Sequence, residues 1–207
     1  MIAMATVKLF ADATLADCSQ GATNKNNFGY YWYFYDDSTN KGQSCCSNAS
    51  ITTPKTSAGY TVVATAGAGY DGYGIVFPYT LGATGITPSH NKTHTNYSFA
   101  GMGTMLCAAG KTLDISTGTA VSFWMKADAA TTVDFMLVDT VNITDNGNYY
   151  FSVPVTTTWT QFTVALSTGD GGVKQPSWAK KVTFSAKTIS KFKVINKSND
   201  QLHTPAK

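Results

Sequence analysis

Apolar and polar side chains alternate along several short stretches of the chain, a pattern typical of β-strands with one face in a core. The clearest example is residues 119–126, where Val121, Phe123 and Met125 alternate with more polar neighbours. We predict strands near residues 28–35, 59–66, 73–80, 105–107, 119–126, 132–139, 148–155, 161–166 and 191–195. Turn-forming Gly, Asp and Asn residues separate these runs, and no segment has convincing helical periodicity. Many short, regularly punctuated strands predict a two-sheet antiparallel β-sandwich.

The run Tyr-Tyr-Trp-Tyr-Phe-Tyr at residues 30–35 is the most informative of these segments. In a strand, successive side chains point to opposite faces. One face then carries Phe28, Tyr30, Trp32 and Phe34, and we expect it to face the core. The other face carries Tyr31, Tyr33 and Tyr35, whose flat apolar rings end in hydroxyl groups. Such a row suits stacking against hydroxylated ring ligands such as sugars; the alternative is that both faces are buried between sheets.

The charged residues limit the available chemistry. All 12 acidic residues are Asp and all 15 basic residues are Lys, in a chain of 207 residues with a net charge of +3. The absence of Glu excludes glycosidases that use a Glu pair, and the absence of Arg excludes two-point guanidinium binding of phosphate. The lysines are scattered, with modest enrichment only at residues 174–197, and the tyrosine-rich strand contains none. We therefore do not expect nucleic-acid binding.

The four cysteines are Cys18, Cys45, Cys46 and Cys107, and they lack the spacing of zinc or thioredoxin motifs. They allow three disulfide pairings, and those joining Cys45 and Cys46 to the other two are sterically easier; four reduced thiols are the alternative. Sparse charge and abundant Ser, Thr, Asn and Gly favour a secreted or cell-surface bacterial protein. With no recognisable signal peptide and no apolar run long enough to span a membrane, we expect an excised or mature extracellular module.

Four stretches carry a family resemblance: residues 27–31, residues 71–74, the segment 132–155, and Gln175-Pro176. In order and spacing they resemble carbohydrate-binding modules of family 11 and their galactose-binding-like β-sandwich relatives. The resemblance implies a non-catalytic module that binds β-glucan, cellulose or related plant cell-wall polysaccharide in an aromatic-lined groove. The motifs span most of residues 24–196.

The resemblance also implies site residues. Tyr31 and Tyr73 match positions of sugar-stacking tyrosines, Asp145 that of a groove carboxylate, and Asn148 that of a polar groove residue. Lys174 and Asn196 stand where further tyrosines are expected, and Gly171 where an arginine is expected. We add Tyr33 and Gln175 as candidate contacts, and Trp178 as a replacement platform whose alternative is a core position. Family members often hold a structural calcium near the chain ends, for which Asp17 is a weak candidate beside Asp12.

Two rival functions remain at this point. An Asp-dependent polysaccharide-degrading enzyme is disfavoured because Asp36 and Asp37 are adjacent and would point to opposite faces. His90 and His94 could ligate a metal on a helix, but their polar surroundings favour a loop. The other rival is a structural or adhesive domain whose tyrosines bind protein. We expect one monomeric module of jelly-roll type with its core at about residues 17–196, which needs no cofactor and forms part of a larger glycoside hydrolase or cell-surface protein.

Overall fold

In a computed structural model, the protein is described for residues 1–10, 13–16, 25–37, 64–65, 70, 74–81 and 98–197. These residues form strands, turns and connections, and they contain no α-helix. No helix in this part of the chain is long and apolar enough to cross a bilayer. The predicted all-β class is therefore confirmed for the described residues.

Twelve strands form within these ranges. In chain order they are β1 (Ile2–Phe10), β2 (Ala13–Ala16), β3 (Trp32–Asp36), β4 (Ala64–Thr65), β5 (Gly74–Phe77), β6 (Phe99–Met105), β7 (Ala120–Ala127), β8 (Thr131–Val138), β9 (Tyr149–Val155), β10 (Thr160–Thr168), β11 (Gly172–Val173) and β12 (Lys191–Lys197).

The strands belong to two sheets. The seven-stranded sheet has the order β11-β10-β7-β1-β5-β4, with β2 paired to β1, and the five-stranded sheet has the order β3-β6-β12-β8-β9. The described strand pairs are antiparallel, except for β10 with β11. The main chains of Tyr150 in β9 and Lys174 after β11 exchange two hydrogen bonds of 2.9 Å, which join the sheets along one side.

Aromatic side chains from both sheets meet in the core. Phe123 of β7 and Phe135 of β8 stack with ring centroids 4.8 Å apart, and both are fully buried. Phe34 of β3 contacts Phe77 of β5 across the same gap, again at 4.8 Å. Each fully buried ring contributes on the order of 1.5–3 kcal/mol through removal of apolar surface from water. The two sheets therefore pack face to face, as in a β-sandwich.

The aromatic segment differs from its prediction at one end. Trp32 and Phe34 are buried as expected, but Phe28 is exposed and lies in a turn before β3. The buried Asn26 side chain holds this turn, because its Oδ1 accepts hydrogen bonds from the main-chain N–H groups of Phe28 and Tyr30, both at 3.0 Å. Its Nδ2 donates to main-chain and side-chain oxygens of β6, which fixes the turn to the five-stranded sheet.

Strand prediction succeeds from β7 to β10 and for β12, to within a few residues. The strand predicted at 105–107 was misplaced, because β6 ends at Met105. Strands β1, β2 and β11 were not predicted. Of the run predicted at 59–66, the structure describes only β4, and the loop expected around His90 and His94 lies outside the described residues.

Cys107 bears on the expected disulfides. It carries a free thiol, whose Sγ lies 3.0 Å from the carbonyl oxygen of Lys111, and partial burial raises its pKa. The structure therefore gives no support to a disulfide at this residue. Cys18, Cys45 and Cys46 lie outside the described residues.

Candidate functional site

The outer face of the five-stranded sheet combines tyrosine and lysine side chains. Alternation sends the even-numbered residues of β3, β6 and β12 into the core and the odd-numbered ones outward, whereas in β8 the odd-numbered residues are buried. We call this surface the tyrosine–lysine face and define it by Tyr31, Tyr33, Tyr35, Asp134, Met136, Tyr150, Ser152, Lys191, Lys193, Ile195 and Lys197, with Lys25 and Lys174 at its edges.

Two glycines of β6 make room for the tyrosines of β3. A Cβ atom on Gly101 would lie 2.6 Å from the Tyr35 Cζ atom, and one on Gly103 would lie 2.9 Å from the Tyr33 hydroxyl oxygen. The two rings therefore lie across the β6 backbone, with centroids 6.0 Å apart. A residue larger than glycine at either position would push a ring off the sheet.

Tyr33 and Tyr31 have different surroundings on this face. Burial raises the pKa of Tyr33 to about 12, so its phenol stays neutral in any ordinary buffer. Tyr31, just before β3, is 58% exposed and is the most accessible ring of the row. One tyrosine is thus packed into the surface while its neighbour offers a free ring area to a ligand.

A lysine ammonium lies near a ring at both edges of the face. The Nζ atoms of Lys25 and Lys193 are 4.7 Å and 5.0 Å from the ring centroids of Tyr31 and Tyr35. At the opposite edge, Lys174 and Lys197 place Nζ 5.2 Å and 5.5 Å from the Tyr150 centroid. These distances are those of cation–π contacts, in which the ammonium interacts with the negative face of the ring.

Charged groups in the middle of the face are partly withdrawn from water. Asp134 accepts a hydrogen bond from Ser152 Oγ at 2.9 Å and forms a close ion pair with Lys197. Burial lowers the pKa of Lys193, and the neighbouring positive charge of Lys191 adds to the effect. Of the residues that define the face, Asp134 alone is acidic, so the lysines dominate its charge.

The predicted contact Asp145 lies in the β8–β9 connection, and its carboxylate binds the main chain. One oxygen accepts from the N–H of Gly147 at 2.9 Å and the other from the N–H of Lys180 at 2.7 Å. The pKa of Asp145 is lowered, first by the hydrogen bond from Lys180 and then by that from Gly147. Asp145 is nevertheless exposed, so each oxygen keeps a lone pair that a ligand could use.

Gln175 and Asn148 lie in the same loop network. Gln175 Nε2 donates to the Gly147 carbonyl at 2.9 Å, while its Oε1 accepts from the Val182 N–H at 2.9 Å. The buried Asn148 accepts from the main-chain N–H of Asp139 through Oδ1. Gln175 thus holds the β8–β9 connection against residues 174–182, while Asn148 bonds within the connection itself. Trp178, 42% exposed, lies in that second segment and is not a core tryptophan.

The predicted site residues therefore form two groups at opposite edges of the sheet. Tyr31 and Tyr33 are at the β3 edge, whereas Asp145 and Asn148 lie in the β8–β9 connection on the other side of the sheet, which is bonded to the segment with Gln175 and Trp178. Four strand spacings separate the edges, about 19 Å. Between them lie the lysines of β12 and the β8 side chains. A ligand that touched both groups would have to be an extended chain.

A second aromatic cluster lies on the seven-stranded sheet. The ring of Tyr70, itself 51% exposed, stacks on Trp124 of β7 at 3.8 Å and contacts Trp159 edge-on at 6.4 Å. Lys126 places Nζ 5.2 Å from the Trp159 centroid. We call this the Trp124 cluster. It provides an aromatic surface on the opposite side of the molecule from the tyrosine–lysine face.

Several predicted residues lie outside the described part of the chain. They are Tyr73, Asp17, Asp12, His90 and His94. Among the described residues, no three His, Cys or Asp side chains are grouped as a metal site would require. The calcium hypothesis is thus neither strengthened nor removed.

Sequence reasoning missed Tyr150 and the lysines as parts of one surface. The alternation of lysine with apolar residues along β12 is a readable signal for an outward basic row. What brings this row to the tyrosines is the pairing of β12 with β6 and of β6 with β3. Sequence distance hides that pairing, because more than 60 residues separate β3 from β6.

Comparisons with protein-family models, curated proteins and solved structures found no match to this chain.

Proposed function

We propose that this protein is a non-catalytic carbohydrate-binding module that binds a polysaccharide along the tyrosine–lysine face. The observation that carries the proposal is the row of tyrosines on the outer side of β3, with Tyr31 exposed and Tyr33 and Tyr35 lying across glycines. A rigid strand presents these rings without further ordering, which keeps the entropic cost of binding low.

Both ring stacking and hydrogen bonds would contribute to the affinity for the polysaccharide. The face of a pyranose ring carries C–H groups, which would cover an exposed tyrosine ring such as Tyr31. The hydroxyl groups at the sugar rim would accept hydrogen bonds from lysine ammonium groups and donate to Asp134 or Asp145. Charged partners make the stronger of these bonds. Affinities in the micromolar to millimolar range correspond to about 4–8 kcal/mol.

The loop network extends this surface beyond β9. Gln175 and Asn148 act as positioning residues in the proposal: Gln175 joins the β8–β9 connection, which carries Asp145, to the segment that carries Trp178, and Asn148 bonds within that connection. The exposed Trp178 ring would serve as a second platform next to the Tyr150 edge. Tyr73 stays in the proposal through the family resemblance alone.

The finer identification follows the family resemblance. The module would be of jelly-roll type and similar to family 11, with β-glucan, cellulose or xylan as ligand and a structural calcium as an optional component. It would act as a monomer, secreted or on a bacterial cell surface, as one part of a larger glycoside hydrolase or surface protein. Binding of this kind requires no proton transfer, so no catalytic residue is assigned.

Affinity electrophoresis tests the proposal directly. The wild-type protein is run in native gels containing barley β-glucan, xylan or mannan, and cellulose oligosaccharides are tested by calorimetry. We expect retardation or heat with at least one β-linked glycan. Tyr31→Ala should weaken that binding about ten-fold, since a partly covered ring contributes roughly 1.5 kcal/mol.

Tyr70→Ala is the matched control, because it removes a comparably exposed tyrosine that stacks on Trp124 of the opposite sheet. It should leave glycan binding unchanged. Loss of binding in Tyr70→Ala but not in Tyr31→Ala would move the site to the Trp124 cluster. Absence of binding to every glycan by a folded wild-type protein would refute the proposal.

The Trp124 cluster supports a second candidate function, a structural or adhesive domain that binds protein. Three aromatic rings with a lysine at their edge form the kind of patch that is enriched at protein interfaces. This candidate predicts that Tyr70→Ala, and not Tyr31→Ala, abolishes adhesion of the purified protein to its cell surface of origin. An Asp-dependent enzyme has no comparable support, since Asp134 is paired with Lys197.

A further inference from the structure

We infer that Asn26 and Thr104 are positioning residues of the proposed glycan-binding site, which fix the main chain that carries the exposed Tyr31 ring. This inference rests on the proposed function and names two residues on which the affinity of that site depends. Neither side chain is open to a ligand, since Asn26 is 4% exposed and Thr104 is fully buried. They act through the geometry that they impose on Tyr31.

Tyr31 lies just outside the hydrogen-bonded ladder of the five-stranded sheet. The pairing of β3 with β6 begins with Trp32 and Thr104, one residue further along the chain. Tyr31 itself forms an isolated antiparallel bridge with Lys25, so residues 25–31 make a tight loop at the start of the strand. A ring in such a place keeps one orientation only if local hydrogen bonds hold its main chain.

Asn26 closes this loop with both its main chain and its side chain. Its N–H donates to the Tyr30 carbonyl at 2.8 Å, and its own carbonyl accepts from the N–H of Gly29 at 2.9 Å. Gly29 has a φ of 84°, a conformation that glycine adopts readily. The Oδ1 atom of Asn26 then accepts from the N–H groups of Phe28 and Tyr30, both at 3.0 Å. One asparagine thus bonds to most of the loop.

A relay of hydrogen bonds connects Asn26 to the main chain of Tyr31. Asn26 Nδ2 donates to Thr104 Oγ1 and to the Met105 carbonyl, both at 2.8 Å. Thr104 Oγ1 lies 3.0 Å from the Tyr31 carbonyl oxygen and 3.4 Å from those of Tyr30 and Met105. A hydroxyl group has one hydrogen to donate, and the shortest contact assigns it to Tyr31.

This buried network is complete at its centre. The amide of Asn26 donates both of its hydrogens and accepts two, which uses its full capacity. Any other arrangement of the loop would leave buried polar groups without partners, which is costly. The main chain of Tyr31 is therefore held in one geometry before a sugar arrives, and stacking does not have to order it.

The pair of variants Thr104→Val and Thr104→Ser tests the inference. Valine keeps the shape of threonine without the hydroxyl, whereas serine keeps the hydroxyl and loses a buried methyl group. Each variant is run in native gels containing barley β-glucan, xylan or mannan, at a temperature where circular dichroism shows it folded. Thr104→Val should bind the glycan that retards the wild type about two- to ten-fold more weakly, the range for ordering one side chain. Thr104→Ser should bind as the wild type does.

The order of these two variants separates positioning from packing. If Thr104 served packing alone, serine would be the more damaging change, because it leaves a cavity. Glycan binding that is weaker in Thr104→Ser than in Thr104→Val would therefore overturn the inference.

Thr131→Val is the matched control. The hydroxyl oxygen of Thr131 also accepts from a buried asparagine, Asn196 Nδ2 at 3.0 Å, but it lies at the start of β8, three strands away from β3. This variant should lose stability and bind glycan as the wild type does. An equal loss of affinity in Thr131→Val and Thr104→Val would show a general effect of destabilisation and overturn the inference.

A double-mutant cycle with Tyr31 tests whether Thr104 acts through that ring. In a Tyr31→Ala background, Thr104→Val should cause little further loss of glycan affinity, because the ring that it positions is gone. Additive losses would show that Thr104 affects binding by another route and would contradict the relay.

The wild-type protein supplies a test that does not depend on the folding of any variant. In the free protein, NMR order parameters of the main-chain amides of residues 28–31 should be about 0.85, as for rigid backbone, and values below about 0.6 would overturn the inference. If the wild type binds a glycan and Tyr31→Ala weakens that binding, an unchanged affinity in Thr104→Val overturns this inference alone. If the folded wild type binds none of the glycans, the proposed function and the inference both fall.

Discussion

At the scale of single residues, the tyrosine–lysine face depends on two glycines of β6 as much as on its tyrosines. Gly101 and Gly103 let the rings of Tyr35 and Tyr33 rest on the β6 backbone. In the sequence, these glycines weaken the strand signal of residues 99–105, and the strand was predicted too late in the chain for that reason. The same feature that hid β6 therefore shapes the candidate site.

Gly101→Ala should destabilise the protein by about 1–3 kcal/mol, because the added methyl group would meet both the Tyr35 ring and the carbonyl oxygen of Val194, at 2.6 and 2.7 Å. Chemical denaturation measures this change. In a Tyr35→Ser background the same substitution should cost less, since the ring contact is gone. An equal cost in both backgrounds would show that the ring does not rest on this glycine.

The raised pKa of Tyr33 predicts that the stability of the protein depends on pH in the alkaline range. Its folded pKa of about 12 exceeds the ordinary value of 10.0, so the stability gained by keeping the phenol neutral is full below pH 10 and is lost as the pH rises through 12. Relative to Tyr33→Phe, the wild type should therefore lose on the order of 2–3 kcal/mol between pH 10 and pH 12. Denaturation at these two pH values checks this, and parallel stability curves would contradict it.

At the scale of elements, clean alternation decided which parts of the fold were predictable. Strands β7 and β12 alternate strictly and β8 alternates in part, and each of the three was located to within about two residues. Strand β1 reads Ile-Ala-Met-Ala-Thr-Val-Lys-Leu-Phe, with no polar partner for most of its apolar positions, and it was missed. The two-residue strand β11 is too short for any pattern, although it joins the sheets next to the site.

The connection between β8 and β9 depends on a carboxylate, which gives it a pH dependence. Because the pKa of Asp145 is lowered, its contribution to stability is present above the ordinary value of 3.8 and is lost as the pH falls through the folded pKa. Asp145→Ala should lower the thermal midpoint at pH 7 and have a smaller effect at pH 3. Asp170→Ala, which removes an exposed aspartate from the turn before β11, is the control for the loss of one negative charge. Equal effects at both pH values would contradict the role assigned to Asp145.

At the scale of the whole molecule, two aromatic surfaces lie on opposite outer sides of a β-sandwich. The sequence was sufficient to predict the two-sheet class and the outward tyrosine row, because both follow from local alternation. It was not sufficient to assemble the lysines of β12 with Tyr31 and Tyr150, because that grouping depends on strand pairing across long stretches of chain. It also could not show that the polar atoms of Asp145 and Gln175 are engaged by the main chain.

The central claim is that the tyrosine row of β3 is a glycan-binding surface. An NMR titration with an oligosaccharide of the glycan that retards the protein most strongly tests it most directly. The account predicts that backbone amide chemical shifts change along β3, β6 and β12 and near Tyr31. The chemical shifts of residues around Trp124 should not change. Shift changes confined to the surroundings of Trp124 and Trp159 would contradict it.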